Sequence, residues 1–516
     1  MRCTHRLTAG LLFATSSLMA QTQPLWRYTA TTPITSVHVT PLGNVVVATA
    51  DGLVALDPVS GLATWKRDDL TNLEPRIFAV VPESPFATVR DRKGFEMIDL
   101  ATGATKWRMP HGDLRPYLPI PARGLILAYG TNDALTPVLV AADLETGTIR
   151  WEHVHPFNEA PEVFEQPYVG HQPALWVSDS TFILYASKDG PVMVHAATGA
   201  WLWRADSLRG KKPPAPGMPV TNHERRFWRP RGHAAMLLAD SVVYVPFEKS
   251  LQAIRIQDGL PLWAEAPEFP SPIAQLERTA RGLLVLGQPS YNRKAWLDLI
   301  DPATGASSWR KRVKGLEYVT PFVVVEGRVY VAANKQLVAV SLDSGTATEV
   351  TRVEFEGGEQ PFDLERRGDG LLLIGKQNLL LVDSTGSERY HVHHPAPGRS
   401  TLGKVALGVL TVVELAADVA LSDWSGTTLG CNCMPYPSLA VRYAASEQAR
   451  DYAYSVAHER DSTGRARPVF LRLHKDDGRV TGRVWLDEKR PAYQLDRVNA
   501  MLYVRQGDAE ILAFQM

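Results

Sequence analysis

The sequence predicts an all-β protein: a single large β-propeller built from four-stranded antiparallel blades. Two observations lead to this prediction. A turn followed by tryptophan recurs six times in one frame, and the chain between the copies divides into short β-rich runs separated by Gly, Pro, Asn and Asp. The six copies, each with Gly four residues before Trp, are Gly61 and Trp65, Gly103 and Trp107, Gly147 and Trp151, Gly199 and Trp203, Gly259 and Trp263, and Gly305 and Trp309.

The spacing of the motif predicts the number of blades. Most intervals between successive motif glycines are 40–52 residues, and roughly 40–45 residues is the size of one propeller blade. Weaker copies follow at Gly345 (with Glu349 in the Trp position), at Gly386 (with Tyr390) and at Gly478. Together with one blade that has no motif of its own, these copies predict about ten blades, with eight as the alternative.

The two ends of the chain account for the blade without a motif. Residues 24–28 resemble the last strand of a blade, and residues 509–516 resemble the third strand of one. If these segments pair, they complete one blade between them and leave no open sheet edge in the ring. We therefore expect the termini to close the propeller.

Each part of the motif has a physical role in this prediction. Gly supplies the positive φ of a tight turn, and the Asp four residues before it, as in Asp143, can accept hydrogen bonds from turn amides. The Trp is a stiff wedge between neighbouring blades, and burying ~150–250 Å² of it stabilises each contact by at most about 4–6 kcal/mol. We interpret these tryptophans as structural rather than as a platform for stacking a ligand.

The motif is also a family pattern. Ala141, Asp143, Thr146, Gly147 and Trp151 fill all five defined positions of Ala-x-Asp-x-x-Thr-Gly-x-x-x-Trp. This pattern resembles the tryptophan-docking motif of the quinoprotein-like (PQQ-like) β-propeller repeat superfamily, and the resemblance covers nearly all of the chain after residue 20. It implies the propeller fold, but it indicates little about activity because one fold hosts many functions.

The N-terminal segment predicts export. Basic residues precede an apolar stretch at 9–14, and small residues lead to a cleavage position at Ala20. We expect a signal peptide at 1–20 and a propeller domain at 21–516, located in the periplasm, in the cell envelope or outside the cell; the alternative is a cytosolic protein with a hydrophobic start. Cys3 lies upstream of the apolar stretch, so we expect no lipid anchor.

Composition and cysteine content exclude several classes of partner and cofactor. The chain has 55 basic and 55 acidic residues, so no net charge favours nucleic acid or an anionic membrane surface. After the signal peptide only Cys431 and Cys433 remain; they form either a small ring disulfide or two free thiols, and two thiols alone do not make a zinc site. The adjacent cysteines of quinoprotein alcohol dehydrogenases are absent, and we expect no cofactor.

A basic insertion at 204–233 is the first candidate binding segment. Its arginines flank two aromatic residues, which suits an acidic partner, a glycan or a phosphate group. The alternative is that the insertion pairs with the acidic stretch 151–187 of the preceding unit or is a solvated loop. The candidate partner-binding residues are Arg225, Arg226, Phe227, Trp228, Arg229 and Arg231.

A second insertion, at about 395–435, contains the nearly apolar stretch 402–421. Its polar residues fall on one narrow stripe at helical spacing, which predicts a helical or apolar insertion near 400–424 packed on the ring. The alternatives are a degenerate blade and a helix that contacts a membrane or a partner. Two carboxylates in the stretch oppose a membrane span.

Two His-x-His pairs are candidate metal ligands: His153 with His155, and His391 with His393, followed by His394. Residues two apart on a strand share a face, so each pair could offer two imidazoles to one ion. No third ligand is fixed nearby by the sequence, and we expect no metal site.

These observations favour an exported, non-catalytic β-propeller scaffold. We expect it to be monomeric and to bind a protein, or another macromolecule, through blade loops on one end of a rigid disc. The alternatives are a PQQ-dependent dehydrogenase-like enzyme, which the repeat resembles, and a membrane-associated propeller attached through 402–421. We expect no catalytic residues, because no Ser/His/Asp order or Gly-rich phosphate loop stands out.

Overall fold

A computed structural model describes most of the chain from residue 23 to residue 516. The positions it does not describe within that range are 72–77, 82–83, 92–93, 110–113, 133, 135, 155–174, 187–189, 210–235, 248, 288–294, 313–318, 334, 397–449 and 489–490. The predicted signal peptide, the candidate cluster from Arg225 to Arg231, the apolar stretch 402–421 and Cys431 with Cys433 therefore lie outside the described residues.

The described strands form ten antiparallel sheets, eight with four strands and two with three. Neighbours in each sheet are consecutive in the chain, apart from the sheet that contains both termini. Blades 1 to 5 consist of β2 (Ile34–Val39), β3 (Val45–Thr49), β4 (Gly52–Leu56) and β5 (Ala63–Arg67); β6 (Phe78–Val80), β7 (Phe86–Asp91), β8 (Gly94–Asp99) and β9 (Thr105–Arg108); β10 (Arg115–Ile120), β11 (Leu125–Thr131), β12 (Pro137–Asp143) and β13 (Ile149–Val154); β14 (Leu175–Trp176), β15 (Thr181–Ala186), β16 (Gly190–His195) and β17 (Trp201–Arg204); and β18 (Leu237–Ala239), β19 (Val242–Phe247) and β20 (Ser250–Arg255).

The second half of the ring repeats this plan. Blades 6 to 10 consist of β21 (Ile273–Thr279), β22 (Gly282–Gly287), β23 (Trp296–Ile300) and β24 (Ser307–Arg312); β25 (Val323–Val325), β26 (Arg328–Ala333), β27 (Gln336–Ser341) and β28 (Ala347–Arg352); β29 (Asp363–Arg367), β30 (Gly370–Ile374), β31 (Asn378–Asp383) and β32 (Glu388–His393); β33 (Tyr452–Arg460), β34 (Ala466–His474) and β35 (Val480–Trp485); and β36 (Ala492–Asp496), β37 (Met501–Gln506), β38 (Glu510–Gln515) and β1 (Trp26–Thr29). The helical elements among the described residues are three short 3₁₀ turns, Pro121–Arg123, Asp206–Leu208 and Glu356–Gly358.

Both ends of the chain share blade 10. Strand β1 pairs with β38 in an antiparallel register that runs from Trp26 opposite Ala513 to Thr29 opposite Glu510. The predicted closure and the count of about ten blades are confirmed, and the eight-blade alternative is wrong. Because the ring is closed, it has no terminal blade with an unpaired edge.

The hydrophobic core is divided into ten clusters, one at each junction between consecutive blades. The cluster at the junction of blades 10 and 1 joins Met501 and Ile511 to Ile34 and Val45. The remaining nine junctions have clusters of the same kind. Each sheet therefore buries both of its faces against its two neighbours, which explains why inner strands such as β3 and β4 are apolar along their whole length.

The motif tryptophans are the wedges at these junctions. Trp107 is 8% exposed, and its Nε1 donates a hydrogen bond to the carbonyl of Leu144 in the next blade at 3.0 Å. The glycine of that next turn, Gly147, lies on the indole face, so that a Cβ there would be 2.5 Å from Cδ2 of Trp107. The same pair of contacts recurs at Trp26, Trp65, Trp151, Trp203, Trp263 and Trp309.

The backbone conformation and the hydrogen bonds of the motif turns are also as predicted. Gly61 has a φ of +70°, and the carboxylate of Asp57 accepts hydrogen bonds from the amides of Val59 at 3.1 Å and Ser60 at 2.7 Å. Equivalent bonds to turn amides are made by Asp99, Asp143 and Asp301.

The predicted motif is wrong at one position, in blade 7. Glu349 does not occupy the wedge site: its side chain is 44% exposed and accepts a hydrogen bond from Gln336 at 2.7 Å. In blade 7 the β-bulge lies between Leu337 and Val338, later on the fourth strand than in the other blades. The shift turns Val350 instead of Glu349 toward the core that blade 7 shares with blade 8.

Tyr390 fills the wedge site of blade 8 and donates its hydroxyl proton to the carbonyl of Lys475 in blade 9. Gly478, the predicted turn glycine of that blade, lies on the Tyr390 ring. In blade 9 the wedge position is Gly482, where a Cβ would be 2.9 Å from the carbonyl carbon of Met516.

Candidate functional site

The two ends of the disc differ because hairpin turns alternate between them. In an antiparallel meander, the turns that join first to second and third to fourth strands lie at one end. We call this end the turn face. The turns between second and third strands, and the links from one blade to the next, lie at the opposite end, the connection face. Because every motif turn packs on the preceding blade's wedge in the same sense, all blades share this orientation.

The turn face is built from short, acidic turns. Where both strands are described, no first-to-second turn exceeds the five residues of 40–44, and no third-to-fourth turn exceeds the six residues of 57–62. Hydrogen bonds from the Ser60 amide and hydroxyl lower the pKa of Asp57 below its ordinary value. The Thr385 hydroxyl has the same effect on Asp383 in blade 8. These carboxylates are used within their own turns, so we regard this face as structural.

The connection face carries the long segments of the chain. The three longest intervals between consecutive described strands, 155–174, 205–236 and 394–451, all begin where a fourth strand ends. The chain therefore leaves the ring at this face before the basic insertion that contains Arg225 and before the apolar stretch 402–421, which themselves lie outside the described residues. Loops anchored on a rigid scaffold are the usual location of binding residues.

A polar network lies at blades 7 to 9 on the connection face. The link between blades 7 and 8, residues 353–362, lies over the turn 375–377 of blade 8. Glu359 holds it there by accepting hydrogen bonds from the Gln377 amide at 3.0 Å and from the Asn378 side-chain amide at 2.6 Å. The Glu356 amide in turn donates to Asn378 Oδ1 at 3.1 Å.

The second His-x-His pair belongs to this network. His391 Nε2 lies 3.0 Å from Asn378 Oδ1, whereas His393 Nδ1 lies 2.9 Å from Glu356 Oε2. Each imidazole therefore has a partner of its own. Among the described residues no group of three or more His, Cys, Asp or Glu side chains is arranged to hold a metal ion.

His394 joins the network to blade 9. Its Nδ1 lies 3.3 Å from Glu459 Oε1, and the other oxygen of Glu459 accepts a hydrogen bond from Arg483 Nε at 3.3 Å. Nε2 of His394 is buried and has no hydrogen-bond partner among the residues that the structure describes. Burial lowers the pKa of His394, and Glu459 opposes that shift only in part.

The other predicted pairs have structural explanations. His153 packs against Trp151 and Trp201, so it helps to fill the junction of blades 3 and 4; His155 lies outside the described residues. In the acidic stretch 151–187, Asp179 forms an ion pair with Arg123 at 2.8 Å, which is a partner in blade 3 and not in the basic insertion.

Sequence reasoning missed the link 353–362 as part of a site. Its side chains contact Gln377 and Asn378 of blade 8 and His393 of β32, and only the His-x-His pair signalled the position. No helix formed by the described residues has the length and apolar character needed to cross a membrane.

The family is decided by a sequence match. The model of the family described as outer membrane protein assembly factor BamB matches residues 92–282 and 138–366, which together exceed half of the chain. The chain belongs to this family. The BamB family assignment agrees with the PQQ-like propeller repeats predicted from the motif. No curated protein sequence matches the chain.

The comparison with solved structures finds chains that match at low sequence identity and low TM-score. The BamB structure from Moraxella catarrhalis is 13% identical, covers 70% of this chain and 97% of its own, and superposes with a TM-score of 0.34. A eukaryotic initiation factor is 10% identical, covers 85% of this chain and 93% of its own, and has a TM-score of 0.40. The C-terminal WD40 domain of Sif2 is 9% identical, covers 73% and 98%, and has a TM-score of 0.34.

Proposed function

We propose that this protein is an exported, non-catalytic scaffold that binds a protein partner through its connection face. The observation that supports it best is the asymmetry of the disc: the three longest intervals between consecutive described strands begin at one face, while the described turns of the opposite face are short. A rigid ring that presents such segments lowers the entropic cost of ordering a binding surface.

The family description supports a location for the partner. Its printed description is an outer membrane protein assembly factor, and we extend that role to this chain as a proposal: the partner is a protein of the cell envelope. The signal peptide predicted at 1–20 supports the same location. Attachment to the membrane through 402–421 is the alternative, and detergent partitioning with and without that stretch separates the two.

Site-specific photo-crosslinking tests the proposed face. A crosslinking amino acid is placed at Arg226 or Trp228 in the basic insertion, and at Val59 or Leu260 on the turn face as matched controls, since these two are 80% and 53% exposed. We expect a crosslinked envelope protein from the first two positions only. Equal yields from both faces, or no product from the insertion, would contradict the proposal.

Charge reversal adds a second arm. Exchanging Arg225, Arg226 and Arg229 for Glu should abolish the crosslink from Trp228 if the insertion meets an acidic partner, because like charges then face each other. An unchanged yield removes the basic insertion from the interface.

The non-catalytic part of the proposal needs a separate test. Purified protein is mixed with PQQ and Ca²⁺, and thermal unfolding is followed. A ligand present at about 100 times its Kd stabilises the folded state by about 2.7 kcal/mol. We expect no shift; a stabilisation of that size would favour the dehydrogenase-like alternative.

A further inference from the structure

The chain crosses from blade 8 to blade 9 along a short described segment, residues 394–396, which we call the strap. The His394 amide donates to the carbonyl of Gln377 at 2.9 Å, and the Pro395 carbonyl accepts a hydrogen bond from the His458 amide at 2.8 Å. The strap is thus fixed to a turn of blade 8 on one side and to β33 of blade 9 on the other.

Strand β33 is hydrogen-bonded to the strap along the edge that faces away from β34. The strand pairs with β34 along its whole length, and the motif turn at Gly478 identifies β33 to β35 as the second to fourth strands of blade 9. Among the described residues, the inward-facing backbone groups of β33 bond to Pro395 and to the Gln377 side chain, which donates to the Val456 carbonyl at 3.3 Å.

The His394 side chain also attaches the strap to blade 9, through its contact with Glu459. The imidazole is 16% exposed and Nδ1–H is directed at Glu459, so the neutral ring leaves a lone pair on the buried Nε2. Protonation would place an N–H on Nε2 for which the described part of the chain offers no acceptor, and an unsatisfied buried donor is costly.

The charged groups around His394 do not offset the cost of burying a positively charged imidazole. Glu459 of β33 favours the charge, but this carboxylate also serves Arg483 of β35, and Arg483 and His393 both oppose it. From the link 353–362, Glu356 is engaged by His393 and Glu359 by backbone amides.

We propose that the strap is an acid-sensitive latch: protonation of His394 releases residues 394–396 from blade 9 and breaks the hydrogen bond between the Pro395 carbonyl and the His458 amide. The direction of the pH dependence follows from the thermodynamic linkage between proton binding and closure of the strap. The pKa of His394 is lowered in the closed strap, so the closed strap binds this proton less well than the open strap. Closure is therefore favoured at neutral pH and weakens as pH falls below about 6.5.

Hydrogen exchange at the His458 amide measures the latch directly, since that amide donates to the strap. With rates corrected for the intrinsic pH dependence of exchange, we expect its protection to fall about three- to tenfold between pH 7.5 and 5. The variant His394→Gln should remove the fall. The matched control is His195→Gln, which alters a histidine in the motif turn of blade 4 and should leave it unchanged.

A titration of wild-type protein covers the case in which a variant folds poorly. The imidazole resonances of His394 should titrate below pH 6.5. Titration at or above 6.5 would overturn the latch, and so would a fall in His458 protection that persists in His394→Gln. The measurement needs no partner, so it is independent of the proposed binding function.

Discussion

Exchanging Gly147 for alanine should weaken the ring much more than the same exchange at Gly327. The two glycines share a left-handed backbone, with φ values of +71° and +75°. They differ in surroundings: a Cβ at position 147 would lie 2.5 Å from Cδ2 of Trp107, whereas nothing lies within 4 Å of a Cβ at 327. The pair therefore separates backbone strain from loss of the wedge contact.

The expected sizes follow from these contacts. A left-handed alanine costs about 1–2 kcal/mol at either position. Forcing a methyl group into the packed indole adds about 1–3 kcal/mol, and displacement of Trp107 would also strain its hydrogen bond to Leu144, which contributes about 1 kcal/mol. We expect Gly147→Ala to lower the free energy of unfolding by about 3–6 kcal/mol and Gly327→Ala by about 1–2 kcal/mol.

Urea unfolding followed by tryptophan fluorescence measures both values, and equal m-values would show that both variants expose the same surface on unfolding. The variant Trp107→Ala supplies a further check, because without the indole Gly147→Ala should cost only its backbone strain. A coupling of about 1–3 kcal/mol between the two positions is expected. Equal losses for Gly147→Ala and Gly327→Ala, or additive effects with Trp107→Ala, would refute the wedge.

Three other changes probe different forces in the ring. Burial lowers the pKa of His38 to about 4, so the folded protein should lose on the order of 3 kcal/mol as pH falls from 6.5 to 4; urea unfolding across that range should show the loss in wild type but not in His38→Leu. Asp298 is fully buried and paired with Arg310, so Arg310→Met should cost about 3–5 kcal/mol, and Asp298→Leu in addition should recover most of it in thermal unfolding. Tyr390→Ala should cost about 3–5 kcal/mol, whereas Tyr390→Trp should cost less than about 1.5 kcal/mol because the site matches the Trp sites of other blades; differential scanning calorimetry compares the two.

The ring could be predicted from sequence because its stabilising contacts repeat. Trp65 and Gly103 are far apart in the chain, but they recur with a fixed local pattern, so recognising one blade identifies its neighbours. The closure by Trp26 and Ala513 was predictable for the same reason, since each end supplies the part of a blade that the other lacks.

Features that depend on one residue of register, or on contacts between distant segments, were not predictable. The bulge in blade 7 moves the wedge from Glu349 to Val350 without any change in the spacing of the motif. The environment of His394 arises from three parts of the chain that meet only in the folded ring, at Gln377, Glu459 and Arg483.

The separation of wedges from long segments makes the junction of blades 4 and 5 a natural place for grafting. An interval of 32 residues, 205–236, separates β17 from β18, yet Trp203 still donates to the Ile256 carbonyl at 2.6 Å and still lies under Gly259. Chain added at the connection face thus leaves the wedge contact at the turn face unchanged. A foreign epitope or small domain inserted there would be displayed on a frame whose stability does not depend on the cargo.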